Sequence, residues 1–157
     1  MLPPGHAAAG YLTAVALTKL FSPNLSQAEL HQLYFWGAFW GLAPDLDMFA
    51  AFFKARGFTF QNSKVNHRDY LSHAPVIWLV LGSAVALLAG SHTYLRWVAI
   101  LAVAGSWSHF LIDTIQCGIR WKWPVSLEVV ALRDKEVEFV ARPNSSFLSY
   151  WIQFVRW

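Results

Sequence analysis

Residues 66–75 read N-H-R-D-Y-L-S-H-A-P and hold two of the chain's six histidines, His67 and His73, around Arg68 and Asp69. Three further clusters have similar chemistry: Gly5-His6, Pro44-Asp45-Leu46-Asp47, and Ser108-His109 with Asp113 four residues on. Imidazole nitrogens and carboxylate oxygens are the donors that zinc and similar divalent ions accept. His109 and Asp113 share one face of a helix at i, i+4. Asp45 and Asp47 stand two apart beyond a helix end, where a turning backbone can aim both inward or only one. Periodicity does not place His67 and His73. Singly, each cluster has a plainer reading: a cap or a satisfied polar residue for His6, a turn for 44–47, an interhelical polar pair for His109 and Asp113. Together they point to a shared metal site. Seven candidate groups exceed one tetrahedral ion, so either two or more ions bind or some groups orient the ligands of others.

The elements that must position these groups read as helices. Segment one, about 7–21, follows Pro3-Pro4-Gly5 and carries Lys19 near its end. Segment two, about 26–43, opens with Ser26 and Glu29 in a capping-box spacing, is strongly aromatic, and stops at Pro44. Segment three, about 70–90, has no Asp, Glu, Lys or Arg and is the best transmembrane candidate. Segment four, about 93–115, follows the Gly90-Ser91-His92 turn and becomes polar in its second half. The first two segments are short for full spans. Beyond Gly118, residues 126–132 and 136–141 suit two strands around an Arg133-Asp134-Lys135 turn. Trp121-Lys122-Trp123-Pro124 is an aromatic-basic turn that reads as interface or packing. Phe147, Tyr150, Trp151 and Phe154 fall at i, i+3, i+4, i+7, an amphipathic helix suited to a membrane surface or to packing on the bundle.

The bulk composition agrees. Of 157 residues, 56% are hydrophobic and 13% charged, too apolar for an ordinary soluble domain. The single cysteine, Cys117, excludes an internal disulfide and a CxxC metal site. A net charge of +3 without a basic run gives no sign of a nucleic-acid partner. The N-terminus lacks the basic start of a secretory signal and reads as retained.

Helices joined by short loops run antiparallel. If segment one starts on side X, His6 lies at X, Asp45 and Asp47 are delivered to X, His67 and His73 open segment three there, and segment four returns His109 and Asp113 to it. His31 and His92 land on or toward the opposite side. Nine Lys and Arg residues outside the C-terminal helix fall on side X against two, Lys19 and Arg96, on the other. Cytoplasmic loops carry the excess of basic residues, so side X is expected in the cytoplasm.

The order His6, P-D-L-D at 44–47, H-R-x-x-x-S-H at 67–73 and S-H-x-x-x-D at 108–113 resembles the YdjM-like membrane-bound metal-dependent hydrolases. It also looks like a neighbouring family of uncharacterised membrane metal-binding proteins with an H-R-x-x-L-S-H-x-P signature. Both are similar in motif order to the zinc-dependent phospholipase C and single-strand nuclease superfamily. The resemblance covers about residues 5–125. It implies His6, Asp45, His67, His109 and Asp113 as metal ligands, and Asp47 and His73 as ligands or groups that orient them. The YdjM-like pattern H-R-G-x-T-H has histidines five apart; here the gap is six with Asp69 in place of Gly, which favours the second family. The later histidine and glutamate ligands of the phospholipases have no counterpart after Asp113, against a full three-zinc cluster.

The expectation is one domain over 1–157: an all-α, membrane-associated bundle of about four helices with a small β-hairpin and an amphipathic C-terminal helix. It is a multi-pass inner-membrane protein with its metal site on the cytoplasmic side. Zinc is the expected metal, with manganese or iron as alternatives. The expected activity is metal-dependent hydrolysis of a phosphoester, with phospholipid among the candidate substrates and Asp47 or His73 as general base. The alternatives are a membrane protein that binds metal without catalysis, as sensor, carrier or structural site, and an ion or proton conduit lined by polar residues.

Overall fold

The structure is a computed structural model and describes residues 3–47, 50, 70–116 and 118–132. Among these are four α-helices: α1 (Pro3–Phe21), α2 (Gln27–Leu42), α3 (Pro75–Leu88) and α4 (Thr93–Gln116). Short 3-10 turns occupy Ala43–Leu46 and Leu71–His73.

Helix α1 begins four residues earlier than its apolar run suggests. Proline suits the first helical position, where no N–H is needed and φ is already helical. His6 therefore lies inside the helix, and His6, Gly10, Ala14 and Thr18 form one buried stripe at intervals of four. Helix α2 opens with the expected capping box: the Ser26 N–H donates to Glu29 Oε2 at 2.8 Å, and the Glu29 N–H to Ser26 Oγ at 3.3 Å. Its buried stripe is Leu33, Gly37 and Gly41.

The two stripes meet with the helices antiparallel. A Cβ on Gly10 would lie 2.1 Å from the carbonyl oxygen of Gly37, and one on Gly41 2.4 Å from that of His6. Only hydrogen side chains permit so close an approach, a packing mode typical of helices in lipid. Helix α4 lies against α1, α2 and α3. Leu101 on α4 joins Ala14 and Leu33 in the buried core. The Trp36 indole N–H donates to the Tyr94 hydroxyl at 3.1 Å, tying α2 to the start of α4.

Small and polar residues share the interior with a few large apolar ones: His6, Thr18, Ser106, His109 and Asp113 are buried beside Leu33, Leu101 and Phe110, while Leu12, Leu20, Phe35, Leu81, Leu87 and Leu88 are exposed. Such a surface is stable against hydrocarbon rather than water. By length and composition, α4 is the one helix among the described residues able to cross a membrane, over Thr93–Ile115. Segment three, the stronger candidate by its lack of charge, gives a shorter apolar helix. That segment divides: Leu71–His73 coil into a 3-10 turn, and Pro75 starts a helix of only 14 residues. At 1.5 Å per residue this is about 21 Å, short of the roughly 30 Å hydrocarbon core.

The expected β-hairpin is not supported. Val130 pairs with Ile119 in an isolated antiparallel bridge, and the Leu132 N–H donates to the Thr114 carbonyl of α4 at 2.8 Å. Among the described residues there is no strand. Residues 133–141 and the expected amphipathic helix at 147–154 lie outside them, as do His67, Arg68 and Asp69.

The α1–α2 contact generates a stability prediction. Gly41→Ala should destabilise the detergent-solubilised protein by about 3 kcal/mol, the upper range for overpacking, since the atoms met are backbone. Leu12→Ala, at a position 62% exposed, should change stability by no more than about 0.5 kcal/mol in detergent. Thermal denaturation of both variants checks this, and an unchanged melting curve for Gly41→Ala would contradict the close packing.

Candidate metal centre

Four chain segments converge at one end of the bundle. Helix α1 supplies His6, the turn after α2 supplies Asp45 and Asp47, the turn before α3 supplies His73, and the last turns of α4 supply His109 and Asp113. His6, His73, His109 and Asp113 are almost completely buried, at 1%, 2%, 0% and 1% exposure. The Asp45 side chain is 18% exposed and forms the open edge.

His109 defines the centre. Its Nδ1 lies 2.9 Å from the carbonyl oxygen of Gly41. A carbonyl can only accept, so Nδ1 carries the proton and donates. In the neutral ring this leaves the lone pair on Nε2, which has no hydrogen-bond partner among the described residues. Nε2 faces Asp45 Oδ1 and Asp113 Oδ2, each at 3.6 Å. Three acceptors turned toward one another repel unless a positive centre lies between them.

The other groups close around this point. His73 Nε2 is 3.6 Å from the same Asp45 Oδ1, and His6 Nε2 is 3.2 Å from Asp113 Oδ1. The rings of His6 and His109 stack with centroids 3.8 Å apart, and His73 meets His109 edge-on at 5.5 Å. Two overlapping sets, His6 with Asp45 and His109, and His73 with His109 and Asp113, hold their donor atoms within 4.8 Å of one another. A tetrahedral ion with ligand bonds of about 2.1 Å has ligand-to-ligand edges of about 3.4 Å. The one edge resolved in each set, Asp45–His109 and His109–Asp113, is 3.6 Å, close to that value, and the donor chemistry suits a divalent ion.

Asp47 stands on the far side of the His73 ring. Its Oδ2 accepts from His73 Nδ1 at 2.7 Å and also from the Ser72 hydroxyl. This leaves His73 Nε2 directed at Asp45, the arrangement by which a carboxylate sets the tautomer of a ligating histidine. Burial works against charge on His73, but its contacts with Asp45 and Asp47 outweigh it and raise the pKa above the ordinary histidine value. Burial likewise opposes the Asp45 carboxylate, yet His73, His109 and His6 hold its pKa below the usual range.

Of the seven groups nominated from sequence, the structure brings together His6, Asp45, Asp47, His73, His109 and Asp113. His67 lies outside the described residues. His31 is exposed beside Tyr34 on α2, and His92 is exposed in the α3–α4 turn, both away from the cluster. Two participants were missed. The Gly41 carbonyl could have been suspected from the Gly37/Gly41 pair, which marks a helix face pressed against a neighbour. Ser72 adjoins His73 in the motif itself. The conduit expected as a third alternative gains nothing from Ser106 and Ser108, whose hydroxyls donate back to carbonyls of their own helix.

No curated protein and no solved structure matched the chain. The model of one protein family did, and it spans the clusters described here together with almost all of the remaining sequence. The six-residue histidine spacing does not remove the chain from that group: with a match over residues 1–153, it belongs to the YdjM inner membrane protein family.

Proposed function

We propose that the protein is a membrane-bound, metal-dependent hydrolase of phosphoesters. The single observation that carries this reading is the bare Nε2 of His109, its other nitrogen engaged by Gly41, facing two carboxylates inside an apolar bundle. Buried ionisable groups in membrane proteins are costly and usually functional.

We assign His73, His109 and Asp113 as the ligands of one divalent ion, zinc by its donor set, with manganese or iron as alternatives. When bound, such an ion polarises the substrate and lowers the pKa of a coordinated water toward about 7. The chain's own residues divide the remaining work. Asp47, itself held by the Ser72 hydroxyl, holds the His73 ring in its ligating tautomer. Gly41 does the same for His109. His6 steadies Asp113 through Oδ1. Asp45, the most exposed carboxylate of the cluster, faces both histidine Nε2 atoms and takes the proton from the attacking water. This moves the expected base from Asp47 or His73 to Asp45, because Asp47 Oδ2 holds the His73 ring, His73 is assigned to the ion, and Asp45 is the carboxylate most open to solvent. His67 is a further candidate ligand. The phosphoester bond rests on the motif resemblance to zinc-dependent phospholipases and nucleases, and membrane residence brings phospholipid head groups within reach.

A second reading has one observation in its favour. His6, His109 and Asp113 are at most 1% exposed, and structural zinc sites are closed by protein ligands. On that reading the protein binds metal without catalysis.

Elemental mass spectrometry of the detergent-purified protein should find near-stoichiometric zinc or manganese, lost in His109→Ala and Asp113→Ala and kept in His31→Ala. Asp47→Asn should keep the site but weaken metal affinity by about 10–100-fold. No bound metal, even after zinc is added back, would refute the site.

With metal in place, hydrolysis of a chromogenic phosphodiester should fall by about 10²–10⁴-fold in Asp45→Asn while its metal content is unchanged. A metal-loaded protein with no activity across phosphodiester and phospholipid substrates would leave the non-catalytic reading.

We further propose a multi-pass topology with the cluster at the cytoplasmic face. Fluorescent-protein and alkaline-phosphatase fusions at residue 124 should report cytoplasm, and the opposite result would reverse the orientation.

A further inference from the structure

The segment following α4 is built as a closed loop whose exposed tip is apolar. Its base is fastened at the level of the cluster. The Gly118 N–H donates to the Asp113 carbonyl at 2.8 Å, and the Leu132 N–H to the Thr114 carbonyl at 2.8 Å. Between them, Ile119 and Val130 exchange hydrogen bonds of 3.0 and 2.9 Å. Trp121 secures one side: its indole N–H donates to the Thr114 hydroxyl at 2.8 Å, and its ring meets Trp107 edge-on at 5.7 Å.

The loop exposes apolar side chains at its tip. Val125 is 93% exposed and Leu127 66%, and Leu132 at the base is 75% exposed. The apolar positions 121, 123, 125 and 127 alternate with Lys122, Pro124, Ser126 and Glu128. Single exposed apolar residues are ordinary, but here several share one short loop fastened where a helix able to span a bilayer ends. The last exposed residues of that helix, Leu111 at 59% and Ile115 at 42%, lead directly into the loop, so the apolar surface continues from helix to loop.

We propose that the loop 119–130 is a membrane anchor, with Trp123, Val125 and Leu127 seated in the boundary between head groups and acyl chains of the leaflet on the cluster's side. The attraction is apolar. Lys122 forms an ion pair with Glu128 at 2.7 Å, so the tip from 121 to 128 is neutral, and Arg120 stands outside it, next to the Ile119–Val130 bridge at the base. Both charged groups are exposed and flank the apolar tip, as expected where a chain dips into the interface and returns. Seating the loop there fixes the height of α4 in the bilayer, and with it the height of His109 and Asp113. The anchor does not depend on whether the cluster is catalytic.

The test places an environment-sensitive fluorophore at single cysteines in full-length protein with Cys117→Ala, reconstituted in phosphatidylcholine nanodiscs. Val125→Cys and Leu127→Cys are the two probes; both positions are exposed, so neither disturbs packing. Leu81→Cys on the outer face of α3 is the lipid control and Asn24→Cys in the α1–α2 turn the water control. The probes at 125 and 127 should emit in the blue, be quenched by shallow spin-labelled lipid at least half as strongly as the probe at 81, and resist aqueous iodide. Raising the salt to molar concentration should leave this unchanged. Iodide quenching equal to that of the probe at 24, with the probe at 81 still quenched by lipid, would overturn the proposal. So would a blue-shifted but lipid-insensitive probe with energy transfer between differently labelled copies, which would assign the tip to a second copy of the chain.

Discussion

The backbone contact between α1 and α2 is the constraint on which the remaining structure depends. With no side chain at Gly10, Gly37 and Gly41, the helices touch along their backbones. That contact sets His6 beside Gly41, and the Gly41 carbonyl then accepts a hydrogen bond from the Nδ1–H of His109. The same glycine thus controls an interhelical distance and the tautomer of a histidine on a third helix. Gly105 of α4 extends the arrangement, since a Cβ there would stand 2.9 Å from that of Trp40.

Polar groups at one end and large apolar groups on the outside are complementary features of this packing. In hydrocarbon there is little gain in burying leucine, so close contact and hydrogen bonding hold helices together. The interior accordingly accepts histidine and aspartate, provided they satisfy one another or a bound ion. The hydroxyls of Thr18, Ser106 and Thr114 bond to carbonyls of their own helix, whereas the cluster's histidines and aspartates, like the indoles of Trp36 and Trp107, find partners on other elements.

Much of the arrangement was legible in the sequence because it follows from local rules. The i, i+4 spacing of His109 and Asp113, the Ser26 and Glu29 cap, and the counting of antiparallel helices were enough to bring the clusters to one end. Three features were not legible because they depend on long-range contacts. Asp47 meets His73 across 26 positions, and nothing near either residue says that Asp47 rather than Asp45 stands behind the ring. The Val-rich stretch 126–132 has strand propensity, yet Val130 pairs with Ile119 in an isolated bridge and the Leu132 N–H goes to the end of α4. Segment three was read by its lack of charge, which overlooked the meaning of Pro75: a residue without an N–H begins a helix more readily than it continues one.

The shortness of α3 has a consequence for the lipid around it. Its apolar face, about 21 Å long, meets a hydrocarbon layer of roughly 30 Å. Such a mismatch is relieved by local thinning of the bilayer, at a cost of fractions of a kcal/mol per Å, or by flanking residues that reach outward. Directly before α3 stand Ser72 and His73, the latter in the cluster. If α3 spans the bilayer, thinning on that flank would draw head groups inward toward the level of the cluster.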